Sequence, residues 1–142
     1  MTEVITVTAH VTSTVRCCNM ILVSLARMRH RVPINTKRML VEALVFPHIR
    51  YCISVWGNCS ASQRSRVQKV MNFGARVVTG LGRRDHVTLV LNELSWGRVE
   101  DMVRDGNLAI VRRLLTSATA PEIAHDTLVL RSDRSARCTR RR

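Results

Sequence analysis

Between residues 67 and 81 the side chains Val67, Val70, Met71, Gly74, Val77, Val78 and Leu81 recur at i, i+3, i+4, i+7, i+10, i+11 and i+14. That spacing makes one face of a helix and no face of a strand. Arg66, Lys69 and Arg76 fall on the opposite side. Ser60 or Ser62 supplies a start signal, and Gly80 and Gly82 supply the stop. A helix with one apolar stripe cannot bury it alone, so the chain must provide partners of the same kind. It does. Val11, Val15, Cys18, Leu22 and Leu25 form a second stripe, which must end before Pro33 because the residue preceding a proline avoids the α region. Arg27, Arg29, His30 and Arg31 crowd its last turn, where cations complement the helix dipole. Asn35 or Thr36 caps a further helix through Leu40, Val41, Leu44 and Val45, and Pro47 either kinks it or opens a new one. Residues 39–56 are apolar nearly all round and read as a central helix, stopped by Gly57 and Asn58.

Downstream, Thr88 caps a short helix over 89–94, and Ser95 and Trp96 make a bend. A long helix follows over 98–115, with Val99, Val103, Ile110 and Leu114 inward and Glu100 and Asp101 in its first turn. Gly106 within it costs about 1 kcal/mol relative to alanine, which predicts fraying or close packing. Residues 4–8 alternate β-branched side chains and read as a short strand or a disordered lead-in. Beyond residue 117 the chain turns Pro-, Ser-, Thr- and Arg-rich. The fold expectation is therefore all-α: a bundle of four to five helices over 10–116, preceded by a lead-in at 1–9 and followed by a flexible, disordered basic tail at 117–142. A length of 142 residues and 46% hydrophobic content suit one compact core. No run approaches the roughly 18–20 apolar residues that cross a bilayer, so no membrane partner is expected. The first 30 residues lack a basic segment followed by an apolar one, and five cysteines make no even framework. An intracellular, non-secreted protein of nucleus or cytoplasm is expected.

The charge is uneven. Lys and Arg number 23 against 10 Asp and Glu, a formal +13. Residues 16–38 hold six cations and no acid, and residues 60–84 hold another six and no acid. The acids gather in 85–109, and the last twelve residues are again basic. Two acid-free segments within the helical body are the footprint of a polyanion binder, since self-repulsion on a small basic domain is relieved by an anionic partner. Only five aromatic side chains are present, which disfavours a single-strand binder built on stacked rings.

Catalytic groupings are missing. Glu100 and Asp101 are adjacent, so on a helix their side chains diverge by about 100° and share neither proton nor metal. Cys17, Cys18, Cys52 and Cys59 lack the paired spacing of zinc sites. No Gly-rich phosphate loop, serine elbow or His-Glu-x-x-His pair occurs. No metal, no cofactor and no small-molecule substrate are expected, and the chain reads as no enzyme on its own. Trp56 and Tyr51 read as core anchors, Trp96 as a packing wedge and His48 as a core histidine.

The segment Pro47-His48-Ile49-Arg50-Tyr51-Cys52-Ile53-Ser54-Val55-Trp56-Gly57-Asn58 resembles a stretch downstream of the catalytic palm in reverse transcriptases of non-LTR (LINE- and jockey-like) retrotransposons. Leu25-Ala26-Arg27-Met28-Arg29 before Pro33, Val67-Gln68-Lys69-Val70, Ala75-Arg76-Val77-Val78-Thr79-Gly80-Leu81, Asp85-His86-Val87-Thr88 and Leu94-Ser95-Trp96 are similar to family features in the same order. So are Ala120-Pro121-Glu122 and Arg134-Ser135-Ala136-Arg137, and the resemblance spans about 10–137. It implies a polymerase-thumb portion of an RNA-directed DNA polymerase that holds the primer–template duplex by its phosphates. The family's paired-aspartate palm motif has no counterpart here. A missing palm domain is accordingly a possible protein partner. The candidate phosphate-contacting residues, chosen from the basic segments and their helix faces, are Arg66, Lys69 and Arg76, extended by Arg83 and Arg84, with a second rail of Arg27, Arg29, Arg31, Lys37 and Arg38. The alternatives are a small helical protein-interaction module or a relic reading frame.

Overall fold

The structure, a computed structural model, describes residues 2–28, 31–82 and 84–116. Every regular element among them is helical: α1 (Thr2–Arg27), α2 (Ile34–Leu44), α3 (Phe46–Arg50), α4 (Ile53–Trp56), α5 (Ala61–Thr79), α6 (Thr88–Glu93) and α7 (Val99–Thr116). They fall into two bodies, Met1–Gly106 and Asn107–Arg142, and the division lies inside α7. The tail at 117–142 lies outside the described residues.

The all-α bundle expected from the stripes is observed, but its four or five helices are seven segments because the second is broken twice. At Val45 the chain stays helical in φ and ψ, yet Pro47 in the first turn of α3 has no N–H to continue the ladder of α2. At Cys52 the backbone enters the left-handed region, φ 50° and ψ 33°, which few non-glycine residues adopt. That turn leaves the Tyr51 carbonyl free to accept the indole N–H of buried Trp56 at 2.9 Å. Residues 39–56 are therefore not one central helix. Val41, Val45, Phe46, Ile49 and Trp56 are buried, whereas Met39, Leu44, Tyr51 and Val55 are exposed. Tyr51, 66% exposed, is not the core anchor its sequence context suggests.

Residues 4–8 are helix rather than strand. Val7 stands one turn before Val11 and packs on the core, so extending an apolar stripe outweighs a weak β preference. One core joins α1 (Val11, Cys18, Leu22, Leu25), α2–α4 (Val41, Val45, Ile49, Trp56), α5 (Val67, Val70, Met71, Ala75, Val78) and the α6–α7 region (Leu91, Trp96, Val99, Val103). Gly74 sits where these layers meet: a methyl group there would touch Val41 at 3.4 Å and both Leu22 and Trp96 at 3.6 Å. These are ordinary van der Waals distances, so Gly74 marks where three layers meet rather than a contact that only glycine permits.

The caps show what sequence spacing missed. Ser60 Oγ accepts the Gln63 N–H at 3.4 Å, and Gly80, at φ 78°, donates to the Arg76 carbonyl at 2.8 Å, both as expected. Pro33, not Asn35 or Thr36, precedes α2, and Val87, not Thr88, precedes α6. The first N–H of α7 is satisfied from another helix, where Gln68 Oε1 accepts it at 2.9 Å. Trp96 wedges edge-on against Phe46, with ring centroids 4.9 Å apart, and donates its indole N–H to Glu42 at 2.9 Å. Gly106 is a point of close packing, its α-carbon facing Ile53 and Ser54. In the second body, Leu108 and Ile110 are exposed and Leu114 is half-buried, so the inward position expected of Ile110 is not found.

Candidate nucleic-acid interface

Contacts between α1 and α5 fix their relative direction. Arg66 donates to Thr12 Oγ1 at 3.1 Å, and eight residues later Gly74 lies against Leu22, ten residues along α1. The two helices run parallel. At about 1.5 Å per residue their last residues, Arg27 and Thr79, reach the same end of the bundle. Helix α2 runs the other way: Cys18 lies against the Val45 carbonyl, and Leu22 and Val41 meet at Gly74. It therefore starts at the end where α1 and α5 finish.

The seam marked by Arg66 and Thr12 is flanked by cations. On α1, Arg16 and Arg27 are three turns apart on one outer stripe, and both are exposed. On α5, Lys69 and Arg76 are two turns apart on one stripe. Lys69 is exposed and Arg76 half-buried. Each of these four lies within about 80° of its helix's seam residue, directed away from the buried stripe. Arg31 and Arg84, both exposed, follow the ends of α1 and α5. The result is one face with cations about halfway along it (Arg16, Arg66, Lys69) and at its end (Arg27, Arg76), with Arg31 and Arg84 in the connections that follow.

The basic end of α1, the end of α5 and the start of α2 lie at one end of the bundle. Arg38 leaves the set: its Nε pairs with Glu42 at 2.8 Å and its Nη2 donates to the Leu94 carbonyl at 3.1 Å, so it ties α2 to the end of α6. Lys37 is half-buried in the first turn of α2. Arg29 and Arg83 lie outside the described residues. Arg16 is the residue that the sequence reading passed over. The available signal was its spacing from Arg27, which places both on one stripe away from Val11, Val15 and Cys18.

The face keeps its charge. Arg66 is held by neutral groups, Thr12 Oγ1 and Gln63 Oε1, and Arg76 donates to the Asp85 carbonyl at 3.3 Å. The Asp85 carboxylate is engaged by the Gly82 N–H at 2.7 Å. Asp101 and Asp105 of α7 pair with Arg104 of the same helix, at 3.2 and 3.8 Å. Among the described residues, no ion pair involves the cations of the α1–α5 face. The acid that shifts is Glu42, away from this face: the hydrogen bond from Trp96 and then that from Arg38 hold its carboxyl below the usual range.

On the opposite flank of α5 a cleft of about 420 Å³ opens towards α6 and the first turn of α7. Arg64 borders it, but its guanidinium is turned to the carbonyls of Gly57 and Cys59, so it closes the α4–α5 connection. His48 is exposed, not a core histidine, and its Nε2 lies 3.8 Å from Cys17 Sγ. Among the described residues, no three His, Cys, Asp or Glu side chains converge as metal ligands, and no helix is long and apolar enough to cross a membrane. Comparison with protein-family models, with curated proteins and with solved structures finds no match for this chain.

Proposed function

We propose that the α1–α5 face grips the phosphate backbone of a nucleic-acid duplex without reading its bases. The observation that carries this is the placement of Arg16, Arg27, Arg66, Lys69 and Arg76 on one side of two parallel helices, unneutralised by any described acid. Arginine and lysine at such positions meet phosphate oxygens and fix position rather than sequence. The ordered resemblance to non-LTR reverse transcriptases gives the parent activity: a thumb-like portion of an RNA-directed DNA polymerase, holding primer–template while a separate palm performs the chemistry. A genomic reading frame upstream encoding a palm with paired aspartates supports that parentage; an unrelated upstream frame contradicts it.

The binding test is a salt titration with duplex DNA, duplex RNA and a hybrid. About six phosphate contacts give a slope near −5 in log K against log salt, whatever the base sequence. The double substitution Lys69→Ala/Arg76→Ala lowers that slope by about 2. A flat titration, or a slope indifferent to those two residues, refutes the assignment. A second reading has its own observation: exposed Met39, Leu44, Tyr51 and Val55 suit a helical module that docks another protein, such as a palm domain. Recovery of solubility only on co-expression with that domain, with no salt-dependent binding, favours it.

A further inference from the structure

We propose that Cys17 is a thiol–disulfide exchange site for small-molecule disulfides, with His48 as the base that takes its proton. The four described cysteines are all unpaired thiols, yet their surroundings differ. Cys18 is buried against the Val45 carbonyl, and burial pushes its thiol up to about 11, which leaves it inert at neutral pH. Cys59 donates to the Ser60 carbonyl, a group that cannot accept a proton outright. Cys52 is exposed at its left-handed turn, and no side-chain partner faces it among the described residues. Cys17 is half-buried on α1, and its Sγ faces Nε2 of the exposed imidazole of His48 on α3 at 3.8 Å. A neutral imidazole with its proton on Nδ1 presents Nε2 as an acceptor to that thiol.

The step balances. The Cys17 proton passes to His48 Nε2, and the thiolate attacks one sulfur of the incoming disulfide. The reagent's S–S bond breaks as the mixed disulfide forms, and the departing thiolate takes up the proton. Cys17 is oxidised and the departing sulfur is reduced, so no further oxidant is needed.

The test incubates the full chain with oxidised glutathione at neutral pH and follows labelling by tryptic mass mapping. The peptide 17–27 carries Cys17 and Cys18, which fragment ions separate, and the peptide 51–64 carries Cys52 and Cys59. The expected result is adduct forming faster at Cys17 than at the more exposed Cys52, with His48→Gln removing the advantage. Equal or faster labelling of Cys52 in the unaltered chain overturns the proposal, and so does a Cys17 rate unchanged by His48→Gln in protein whose helical circular dichroism is intact. Should His48→Gln disturb the helices, the Cys17-to-Cys52 ratio in the unaltered chain decides alone.

Discussion

Replacing Gly106 with alanine sets two effects of known sign against each other. In an exposed helix interior the exchange stabilises by about 1 kcal/mol, because alanine loses less backbone entropy. Here a methyl group would stand 2.7 Å from Ile53 Cγ2 and 3.2 Å from Ser54 Oγ. The serine hydroxyl can rotate away, but Ile53 is half-buried and packed on the core, so its methyl has little room. Overpacking of this kind costs about 1–3 kcal/mol. The expected net effect of Gly106→Ala is thus about 0–2 kcal/mol of destabilisation. Ile53→Ala removes the opposing methyl. In that background Gly106→Ala should stabilise by about 1 kcal/mol, the helix-propensity gain alone. The coupling between the two sites is the difference, about 1–3 kcal/mol, which a double-mutant cycle isolates. Urea unfolding followed by far-ultraviolet circular dichroism measures all four corners. If Gly106→Ala stabilises equally in both backgrounds, α4 and α7 do not touch through this glycine and the reasoning fails. The reciprocal glycine offers a control. A methyl at Gly57 would meet Val103 at 2.7 Å and also the Ile53 carbonyl, which cannot give way, so Gly57→Ala should be the more harmful change.

Three other substitutions test separate joints. Gln68→Ala removes the acceptor for the first N–H of α7 and should cost about 1 kcal/mol in urea melts, as loss of a helix cap does. Gly80→Ala meets no atom within 4 Å, so its cost of about 1 kcal/mol comes from the left-handed backbone alone, and Gly80→Asn should recover much of it. Glu42→Gln tests the network beneath Trp96 through pH. The carboxyl of Glu42 titrates lower folded than unfolded, so the stability it contributes is present above about pH 4.3 and is lost as pH falls through its depressed folded value. The variant's stability should therefore fall less across that acidic range, and identical pH profiles for the two proteins count against the network. The side chain of Glu42 is partly exposed, so solvent screening keeps the effect below about 1 kcal/mol.

Periodicity made α5 and the body of α1 legible, because each has an apolar stripe longer than three turns, and such stripes leave little freedom of interpretation. In α7 only Val99 and Val103 of the expected stripe are buried, and Ile110 lies on the exposed side. The 39–56 stretch was not legible for the opposite reason: with apolar residues on every side, no stripe shows which positions face in. What decides there is local. Pro47 withholds a donor, Cys52 takes a left-handed conformation, and the Trp56 indole needs the Tyr51 carbonyl. Hydropathy spacing contains none of these. The cap on α7 is beyond reach for a similar reason, since Gln68 stands thirty-one residues from the N–H it satisfies.

Charge posed the same problem in another form. Counting cations along the chain finds two acid-free segments but cannot say which cations share a side of the molecule, because that depends on helix direction. Once α1 and α5 are parallel, the ends of both acid-free segments coincide, and Arg27 joins Arg76 although forty-nine residues separate them. Antiparallel packing would have placed Arg27 beside the start of α5 and divided the positive potential between two ends. Arg38 shows the converse. It belongs to the same acid-free segment, yet Glu42, one turn on, and the Leu94 carbonyl convert it into a structural tie. Arg38→Ala should therefore weaken the fold while leaving the salt slope of nucleic-acid binding as it was. Lys69→Ala should do the reverse, lowering the slope by about 1 without moving the urea midpoint. If both variants changed the same quantity, the division of these cations into an exposed face and an internal tie would be wrong.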